Sequence, residues 1–312
     1  MAELFVHTPG FLTTVQDLGR PGYAHLGISA SGSADALSFR IGNLLVANDQ
    51  HAAALEMTLV GGTFEFDADV TCAITGSDFS PRLDGKPAPL WRTIDVLARQ
   101  RLRFGPTTSG ARCYLCVHGG MNVPMMFGSA STHLQSGLGG LDGRALRSGD
   151  RLVLTSPSIA AARHIPEHFL EAFSKRDVLR VTRGMHQDHF TLVSMNDFVE
   201  STYEVTEEAN RMGIRLQGKP LERKETADII TQGVPLGAVQ IPPGGQPIIL
   251  FVEHQTTGGY PQIANIISAD FHRLGQLRPR DQIRFEFVTL EQAHTLLVEQ
   301  EASLSPTHFL PQ

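Results

Sequence analysis

Short strand-like segments joined by glycine and proline turns follow one another through the first half of the chain. Apolar or alternating runs between residues 53 and 117 occur at 63–66, 70–74, 94–97, 101–104 and 111–117. An Asp84-Gly85 pair between two such runs is a hairpin signal. This spacing is typical of a β-barrel or a β-sandwich. With 30 glycines, 18 prolines and only 19% charged residues, the sequence predicts a mainly β fold with a few helices.

The stretch 246–268 combines two apolar runs with the densest set of polar side chains. Its first run, 248–252, predicts a strand buried on both faces, and its second, 263–267, predicts the next strand. The segment between them supplies the largest group of candidate substrate-binding residues: Glu253, His254, Gln255, Thr256, Thr257, Gly258, Gly259 and Tyr260.

Two interpretations of this polar segment remain open from the sequence. In one, it is a tight structural turn whose side chains cap backbone groups, because buried polar groups need partners. In the other, it is a recognition site held on a rigid sheet. The Gly258-Gly259 pair fits either interpretation, since glycine permits unusual backbone conformations or close approach of a ligand.

A second polar, glycine-rich region contributes further candidates. Near the start of the chain they are Gln16, Asp17 and Arg20; within the long glycine-rich segment 118–143 they are Ser129, Ser131 and Thr132. Exposed backbone N–H groups and hydroxyls of such a segment are able to hold an anion. Asp17 and Arg20 are also close enough in sequence to form a structural salt bridge across a turn.

Arg211 and Arg215 complete the candidate set. Four residues apart, they would share one side of a helix. Arginines suit carboxylate or phosphate ligands, although arginines paired with acidic side chains are common.

The length of 312 residues predicts two domains. We predict a lobe at 1–160, a second lobe at 178–290, and a C-terminal helix and tail at 291–312, with exchange of segments between lobes allowed. Thr289 and Gln292 form a capping box that predicts the start of this last helix. Ser33 is predicted to cap an earlier helix.

Charge and terminal sequence restrict the class of protein. The net charge of −6 gives no basic surface for nucleic acid or an anionic membrane, and no apolar run is long enough to span a bilayer. The first residues lack the charged and apolar regions of a signal peptide. With three cysteines and no obvious disulfide framework, we expect a cytoplasmic protein.

Metal, nucleotide and biotin motifs are weak or absent. Cys113 and Cys116 lie in a predicted strand, which favours core residues over a redox or metal pair. The pattern His164-x-x-Glu-His168 contains Pro166, which cannot lie inside the helix that zinc binding would need. The sequence has neither a G-x-x-x-x-G-K-[ST] loop nor the Met-Lys-Met of a biotin-carrying lysine. We expect no metal, no nucleotide motif and no covalent biotin on this chain.

Six sequence blocks, in order, resemble the biotin-dependent carboxyltransferase, or allophanate hydrolase subunit 2, family. They are residues 13–23, 53–56, 119–120, 128–132, 211–216 and 255–261. Bacterial members of this family include the C subunit of the ATP-dependent 5-oxoprolinase, which the chain resembles. The resemblance implies two tandem cyclophilin-like β-barrel lobes.

The resemblance also implies a function within a complex. The chain would act with a B-subunit-like partner and a lactam-opening A-subunit-like protein, and the complex would use ATP to hydrolyse 5-oxoproline, a cyclic amide, to glutamate. The chain alone is expected to be inactive. Phosphorylation of the lactam oxygen would require cationic donors, for which Arg20, Arg211 and Arg215 are candidates.

Two alternatives follow from the same family. The chain could form half of the carboxyltransferase of a biotin-dependent urea or amide carboxylase. It could instead be a non-catalytic regulator that binds a kinase-inhibitor-like partner. One departure from the family pattern is Gln262, at a position where the resemblance leads one to expect a basic residue.

Overall fold

The computed structural model describes residues 2–166, 177–224, 229–305 and 309–311. The chain divides into two compact units. Unit 1 comprises Met1–Arg20, Ser31–Glu171 and Leu304–Gln312, and unit 2 comprises Pro21–Ala30 and Ala172–Ser303. The two units therefore exchange a short segment near the start and another at the end of the chain.

Strands are the main elements of both units. In chain order they are β1 Glu3–Thr8, β2 Leu12–Gln16, β3 Ala54–Thr58, β4 Thr63–Phe66, β5 Val70–Gly76, β6 Arg82–Leu83, β7 Lys86–Pro87, β8 Thr93–Val96, β9 Arg101–Arg103, β10 Arg112–Val117, β11 Arg151–Val153, β12 Arg163–His164, β13 Val178–Arg183, β14 Tyr203–Val205, β15 Gly213–Gln217, β16 Gln232–Gly233, β17 Ala238–Gln240, β18 Ile248–Leu250, β19 Thr257–Gly258, β20 Gln262–Ile266, β21 Gln282–Phe287 and β22 Leu310–Pro311.

Helices are fewer than strands. The described α-helices are α1 Ala36–Leu45, α2 Leu192–Glu200, α3 Phe271–Gly275 and α4 Leu290–Ser303. Short 3-10 helices lie at Ala24–Leu26, Gln187–His189 and Ser268–Asp270. Within the described residues, none of these helices has the length and apolar character needed to cross a membrane. The predicted mainly β fold is confirmed.

Unit 1 is built from two antiparallel sheets around one core. Their strand orders are β11-β1-β4-β9-β6-β7 and β2-β3-β10-β5-β8. Apolar side chains of both sheets, such as Leu4 and Phe64 from one and Leu55 and Leu115 from the other, form a single buried cluster. Strands β3 and β10 are buried along their whole length. Helix α1 covers the second sheet, and Gly42 allows its close approach, because a Cβ there would lie 2.6 Å from Cys116 Sγ.

Of the two local predictions for unit 1, a hairpin turn and a helix cap, one is confirmed. The Asp84-Gly85 hairpin is confirmed: both residues have positive φ, 47° and 81°, between the paired strands β6 and β7. The predicted cap at Ser33 is wrong. Asp35 caps α1, since its carboxylate accepts hydrogen bonds from Ser38 N at 2.9 Å and from Ser38 Oγ at 2.6 Å.

Unit 2 is a closed barrel with strand order β13-β20-β17-β18-β15-β14-β21. Strands β13 and β21 pair in parallel. Alternate residues point inward, so that Ile214 and Leu216 are buried whereas Arg215 is exposed. Phe198 of α2 stacks on Phe285 of β21 with ring centroids 4.3 Å apart. Strand β18 ends at Leu250, two residues earlier than predicted, because Val252 and Glu253 form a turn.

The predicted C-terminal capping box is confirmed. Thr289 N donates to Gln292 Oε1 at 2.9 Å, and Gln292 N donates to Thr289 Oγ1 at 3.2 Å. Helix α4 then packs against the rest of unit 2, where Gln300 Nε2 donates to Ala269 O at 2.9 Å. The chain beyond it returns to unit 1, because β22 pairs with β12.

A buried network connects α1 to the second sheet of unit 1. Tyr114 and Glu56 lie opposite each other on β10 and β3, and Tyr114 donates its hydroxyl proton to Glu56 Oε2 at 2.8 Å. Asp35 N donates to the Tyr114 hydroxyl at 2.8 Å, and Ala34 N donates to Glu56 Oε2 at 2.7 Å. Burial, followed by the negative charge of Glu56, raises the pKa of Tyr114 well above its ordinary value.

Tyr114→Phe tests this network. We expect a loss of about 1–3 kcal/mol in the free energy of unfolding at pH 7, because a buried carboxylate and a backbone N–H each lose a partner. Because the pKa is raised in the folded state, the neutral phenol stabilises the fold fully below pH ~10, and this contribution falls as the pH rises further. The variant should therefore lose less stability than wild type above pH ~10 in urea denaturation. Equal stability of the two proteins at pH 7 would contradict the account, and Glu56→Gln in a double-mutant cycle measures the pair directly.

Candidate functional site

The predicted site residues fall into two groups, one in each unit. Unit 1 contains Gln16, Asp17, Arg20, Ser129, Ser131 and Thr132. Unit 2 contains Arg211, Arg215 and the whole polar segment from Glu253 to Tyr260. The two groups differ in how far their polar atoms are already engaged by the protein.

Asp17 is the centre of the unit 1 group. Its carboxylate accepts hydrogen bonds from Ser129 Oγ at 2.6 Å and Ser131 Oγ at 2.5 Å. It also accepts from Ala130 N at 2.6 Å and from Gly19 N at 2.7 Å. Asp17, Ser129 and Ser131 are all buried. These four donors satisfy most of the lone pairs of the Asp17 carboxylate. Through them, Asp17 links its own turn to the glycine-rich segment.

The other members of the unit 1 group make internal bonds too. Thr132 Oγ1 donates to Val15 O at 2.9 Å, and Gln16 Nε2 donates to Thr132 O at 3.1 Å. The buried Arg20 donates through Nη2 to Ser131 O and through Nε to Met126 O at 3.4 Å. The hydroxyls and cation that the sequence offered for ligand binding thus hold the segment 126–132 in place.

In unit 2, Arg211 and Glu253 form a buried ion pair. Arg211 Nε lies 2.5 Å from Glu253 Oε1, and the two side chains are 6% and 4% exposed. Glu253 N also donates to Arg211 O at 2.8 Å, and Phe251 N donates to Met212 O at 3.0 Å. The ion pair therefore holds the segment that precedes β15 next to the segment that follows β18.

Arg215 has a different environment. Arg211 precedes β15, whereas Arg215 lies within it. The Arg215 side chain is 52% exposed, and its Nε lies 3.3 Å from Glu208 Oε2, which is itself largely exposed. Such exposed pairs are weakly held, so the Arg215 guanidinium is able to contact a ligand.

A cavity of about 180 Å³ lies on the outer face of the barrel, where Arg215 emerges. Its lining residues are Asn210, Met212, Gly213, Arg215, Gln240, Ile248, Leu250, Gln255 and Tyr260. Arg215, Gln255 and Tyr260 were predicted from the sequence, whereas Asn210 and Gln240 were not. An apolar floor with several convergent polar groups is the usual composition of a small-molecule site.

Gln240 was missed because it lies in an apolar run that predicts only a buried strand. It is 1% exposed, and Nε2 donates to Tyr260 O at 3.5 Å. Gly258 makes room for it, since a Cβ at Gly258 would lie 2.8 Å from Gln240 Nε2. Neither Gly258 nor Gly259 has positive φ, and Thr257–Gly258 is a strand paired with Gln232–Gly233. Gly258 is therefore needed for close packing and not for an unusual backbone conformation.

The remaining polar residues of the segment do not line the cavity. His254 Nδ1 donates to Gln255 O at 2.6 Å, and burial lowers the pKa of His254, so the ring is neutral at pH 7. Thr256 contributes its backbone carbonyl, which accepts from Val234 N at 3.1 Å. The Thr257 side chain is exposed.

His186 does not line the cavity but contacts Gln262, and the sequence did not assign it to the site. Gln262 N donates to His186 Nδ1 at 3.2 Å, and His186 N donates to Gln262 O at 3.1 Å. Nδ1 is therefore an acceptor of the neutral ring, and Nε2 lies 3.1 Å from the amide nitrogen of Gln232. Burial, together with the neighbouring His189, lowers the pKa of His186 and favours this form.

Cysteine and metal chemistry receive no support from the described residues. Cys72, Cys113 and Cys116 are free and buried, and burial raises the pKa of each thiol, which keeps it protonated and unreactive. Cys113 and Cys116 are core residues, as predicted. Nowhere in the described ranges do three or more His, Cys, Asp or Glu side chains form a group able to hold a metal ion. Glu167 and His168 of the H-x-x-E-H pattern lie outside those ranges.

Comparison with known proteins identifies the family. The family profile described as carboxyltransferase domain, subdomain A and B, matches residues 26–287, well over half of the chain. The chain belongs to this carboxyltransferase-domain family. The resemblance carried by the six sequence blocks is thereby confirmed.

Two kinds of protein are among those similar to this chain. Proteins named as the C subunit of 5-oxoprolinase, from Haemophilus influenzae and Escherichia coli, are 37% and 40% identical to this chain, and the matches cover 93% and 91% of both partners. The crystal structure of the Kluyveromyces lactis urea carboxylase matches with a TM-score of 0.91 at 29% identity. That match covers 99% of this chain but 30% of the urea carboxylase, so the chain spans less than a third of that protein.

Glu253→Gln tests the supporting ion pair of this carboxyltransferase-domain protein. Removing one charge leaves the buried Arg211 without its carboxylate, and we expect a loss of about 3–5 kcal/mol in the free energy of unfolding. The matched control Arg215→Gln removes a weakly held exposed pair and should cost at most about 1 kcal/mol. Urea denaturation followed by circular dichroism compares the two variants. Similar midpoints for both variants would show that the buried pair does not fix this segment.

Proposed function

We propose that this chain is the C subunit of an ATP-dependent 5-oxoprolinase. The observation that carries the proposal is the match to two proteins named as 5-oxoprolinase C subunits, at 37% and 40% identity over more than nine-tenths of each chain. The names of these relatives support a complex with further subunits. We assign the partners as a B-subunit-like protein and a lactam-opening A-subunit-like protein, acting in the cytoplasm.

The proposed overall reaction is 5-oxoproline + ATP + 2 H₂O → glutamate + ADP + phosphate. A lactam carbonyl is a poor electrophile, and phosphorylation of its oxygen activates the carbon toward water. After one water adds, the ring C–N bond breaks to give an open-chain acyl phosphate of glutamate, and a second water releases phosphate. ATP enters at the level of the complex, since this chain carries no nucleotide motif of the P-loop kind. No biotin is attached to this chain in the proposal.

The cavity in unit 2 supports a role in holding the small substrate. Its volume of about 180 Å³ is below the roughly 300–1,000 Å³ of sites for drug-sized ligands, which suits a single small ring. Arg215 provides a cation for the substrate carboxylate. The side chains of Asn210, Gln240 and Gln255 provide further donors and acceptors around the substrate.

The chain alone is proposed to be inactive. Of the three arginines proposed for phosphoryl contacts, Arg20 and Arg211 are buried and bonded to neighbouring groups, whereas Arg215 lines the cavity. Among the described residues that line the cavity, none is a carboxylate, histidine or lysine able to move a proton. Acid–base chemistry is therefore assigned to a partner protein of the complex.

The alternative function is half of the carboxyltransferase in a biotin-dependent urea carboxylase. The structural match to the Kluyveromyces lactis urea carboxylase, which covers 99% of this chain, favours it as the second candidate. A urea-binding site needs donors and acceptors for an amide but no cation for a substrate carboxylate. Arg215 in the cavity lining therefore favours 5-oxoproline.

An omission experiment tests the proposal. We expect ATP-dependent release of glutamate from 5-oxoproline when this chain is combined with its two candidate partner proteins, and loss of turnover when this chain is left out. Avidin should not inhibit the reaction, because no biotin takes part. Undiminished turnover without this chain would refute the proposal, and avidin-sensitive carboxylation of urea would favour the alternative.

A further inference from the structure

The side chain of Gln262 is the least satisfied polar group near the cavity. Gln262 is 1% exposed, and within the described part of the chain neither its Oε1 nor its Nε2 has a hydrogen-bond partner. Buried amides are nearly always hydrogen-bonded in native proteins, so an unpaired one points to a ligand or a solvent molecule as its partner.

The backbone of Gln262 is held firmly although its side chain is not. Both its N–H and its carbonyl bond to His186, as described above. Its Cα lies opposite that of Gln240 where the ladder between β20 and β17 is irregular. Directly opposed residues of antiparallel strands project from the same face, and Gln240 lines the cavity. Tyr260, two residues before Gln262, lines it as well.

A carboxamide selects its partner by geometry. It presents one acceptor oxygen and one NH₂ donor side by side, so its complement must also present a donor and an acceptor on one edge. Carboxylate and phosphate groups offer acceptors only, and an ammonium group offers donors only. A linear secondary amide is trans, with N–H and C=O on opposite sides. A small lactam ring forces the cis arrangement, which places both on one edge.

We propose that Gln262 determines specificity for cyclic amides by forming two hydrogen bonds to the cis amide of the ligand. Its NH₂ group donates to the lactam carbonyl, and its oxygen accepts from the lactam N–H. This pairing is the protein equivalent of the two-bond contact of glutamine with a nucleobase edge. The proposal rests on the proposed function and deepens it: Gln262 recognises the amide, and Arg215 is left for the carboxylate.

Ring opening would end this contact. Glutamate, the proposed product, has an ammonium and a carboxylate group in place of the cis amide, and so loses the two-bond pair with Gln262. The substrate is therefore held more tightly than the product at this position. Urea also presents N–H and C=O on one edge, so it shares the chemistry and must be separated from lactams by experiment.

Ligand-observed NMR on the assembled complex tests the proposal with pyrrolidin-2-one, its lactone analogue γ-butyrolactone, 5-oxoproline and urea. Wild type should bind the lactam about tenfold or more tightly than the lactone, which lacks the N–H. Gln262→Leu should abolish this preference while raising or preserving the melting temperature, because it removes a buried unpaired amide. The matched control Gln282→Leu, at an exposed position of β21, should retain the preference.

The outcomes separate this inference from the proposed function. A lower melting temperature of Gln262→Leu together with an unchanged lactam preference would overturn the inference and assign the amide a structural role. Binding of urea but not of 5-oxoproline, lost in Gln262→Leu, would retain the amide-binding role and overturn the proposed function. Binding of neither ligand by wild type would overturn both.

Discussion

The hydrogen-bonded register of the barrel strands is the constraint on which the candidate site depends. Side chains alternate along each strand, so a slip of one residue would bring Arg215 to the interior and Ile214 to the surface. Burial of Ile214 and Leu216 fixes the register of β15, and the pairing of β15 with β18 then places Arg215 opposite Ile248. The same packing that forms the apolar core thus orients the polar groups outward into the cavity.

The two groups of polar residues serve the molecule in different ways. Around Asp17, hydroxyls and backbone N–H groups satisfy a buried carboxylate, and little hydrogen-bonding capacity is left for a ligand. Around Arg215, polar side chains converge on a cavity, while the neighbouring buried charges of Arg211 and Glu253 neutralise each other. A buried charge that loses its partners is costly. The bonds around Asp17 and the Arg211–Glu253 ion pair therefore each hold their loops in one arrangement. Rigid support of this kind is what a binding site requires.

Local sequence signals predicted local structure well. The hairpin at Asp84-Gly85 and the capping box at Thr289 depend on residues within a few positions of each other, and both are present. The cap of α1 was misassigned because Ser33 and Asp35 carry equally suitable side chains two positions apart. Of the cavity lining, Arg215, Gln255 and Tyr260 were found from the sequence because they lie in conspicuously polar segments. Gln240, which lines the cavity, and His186, which does not, were missed. Their roles arise from pairing with Gln262, 22 and 76 positions away, and no local pattern encodes that register.

Hydrogen–deuterium exchange of the assembled complex, with and without 5-oxoproline, tests most directly whether the ligand is held at the barrel cavity of this chain. The account predicts slower exchange of backbone N–H groups in segments 210–215 and 255–262, which contribute most of the cavity lining. Exchange in segment 126–132 should stay unchanged, since its contacts with Asp17 and Arg20 are internal. Protection confined to segment 126–132, with none around the cavity, would contradict the assignment of the site.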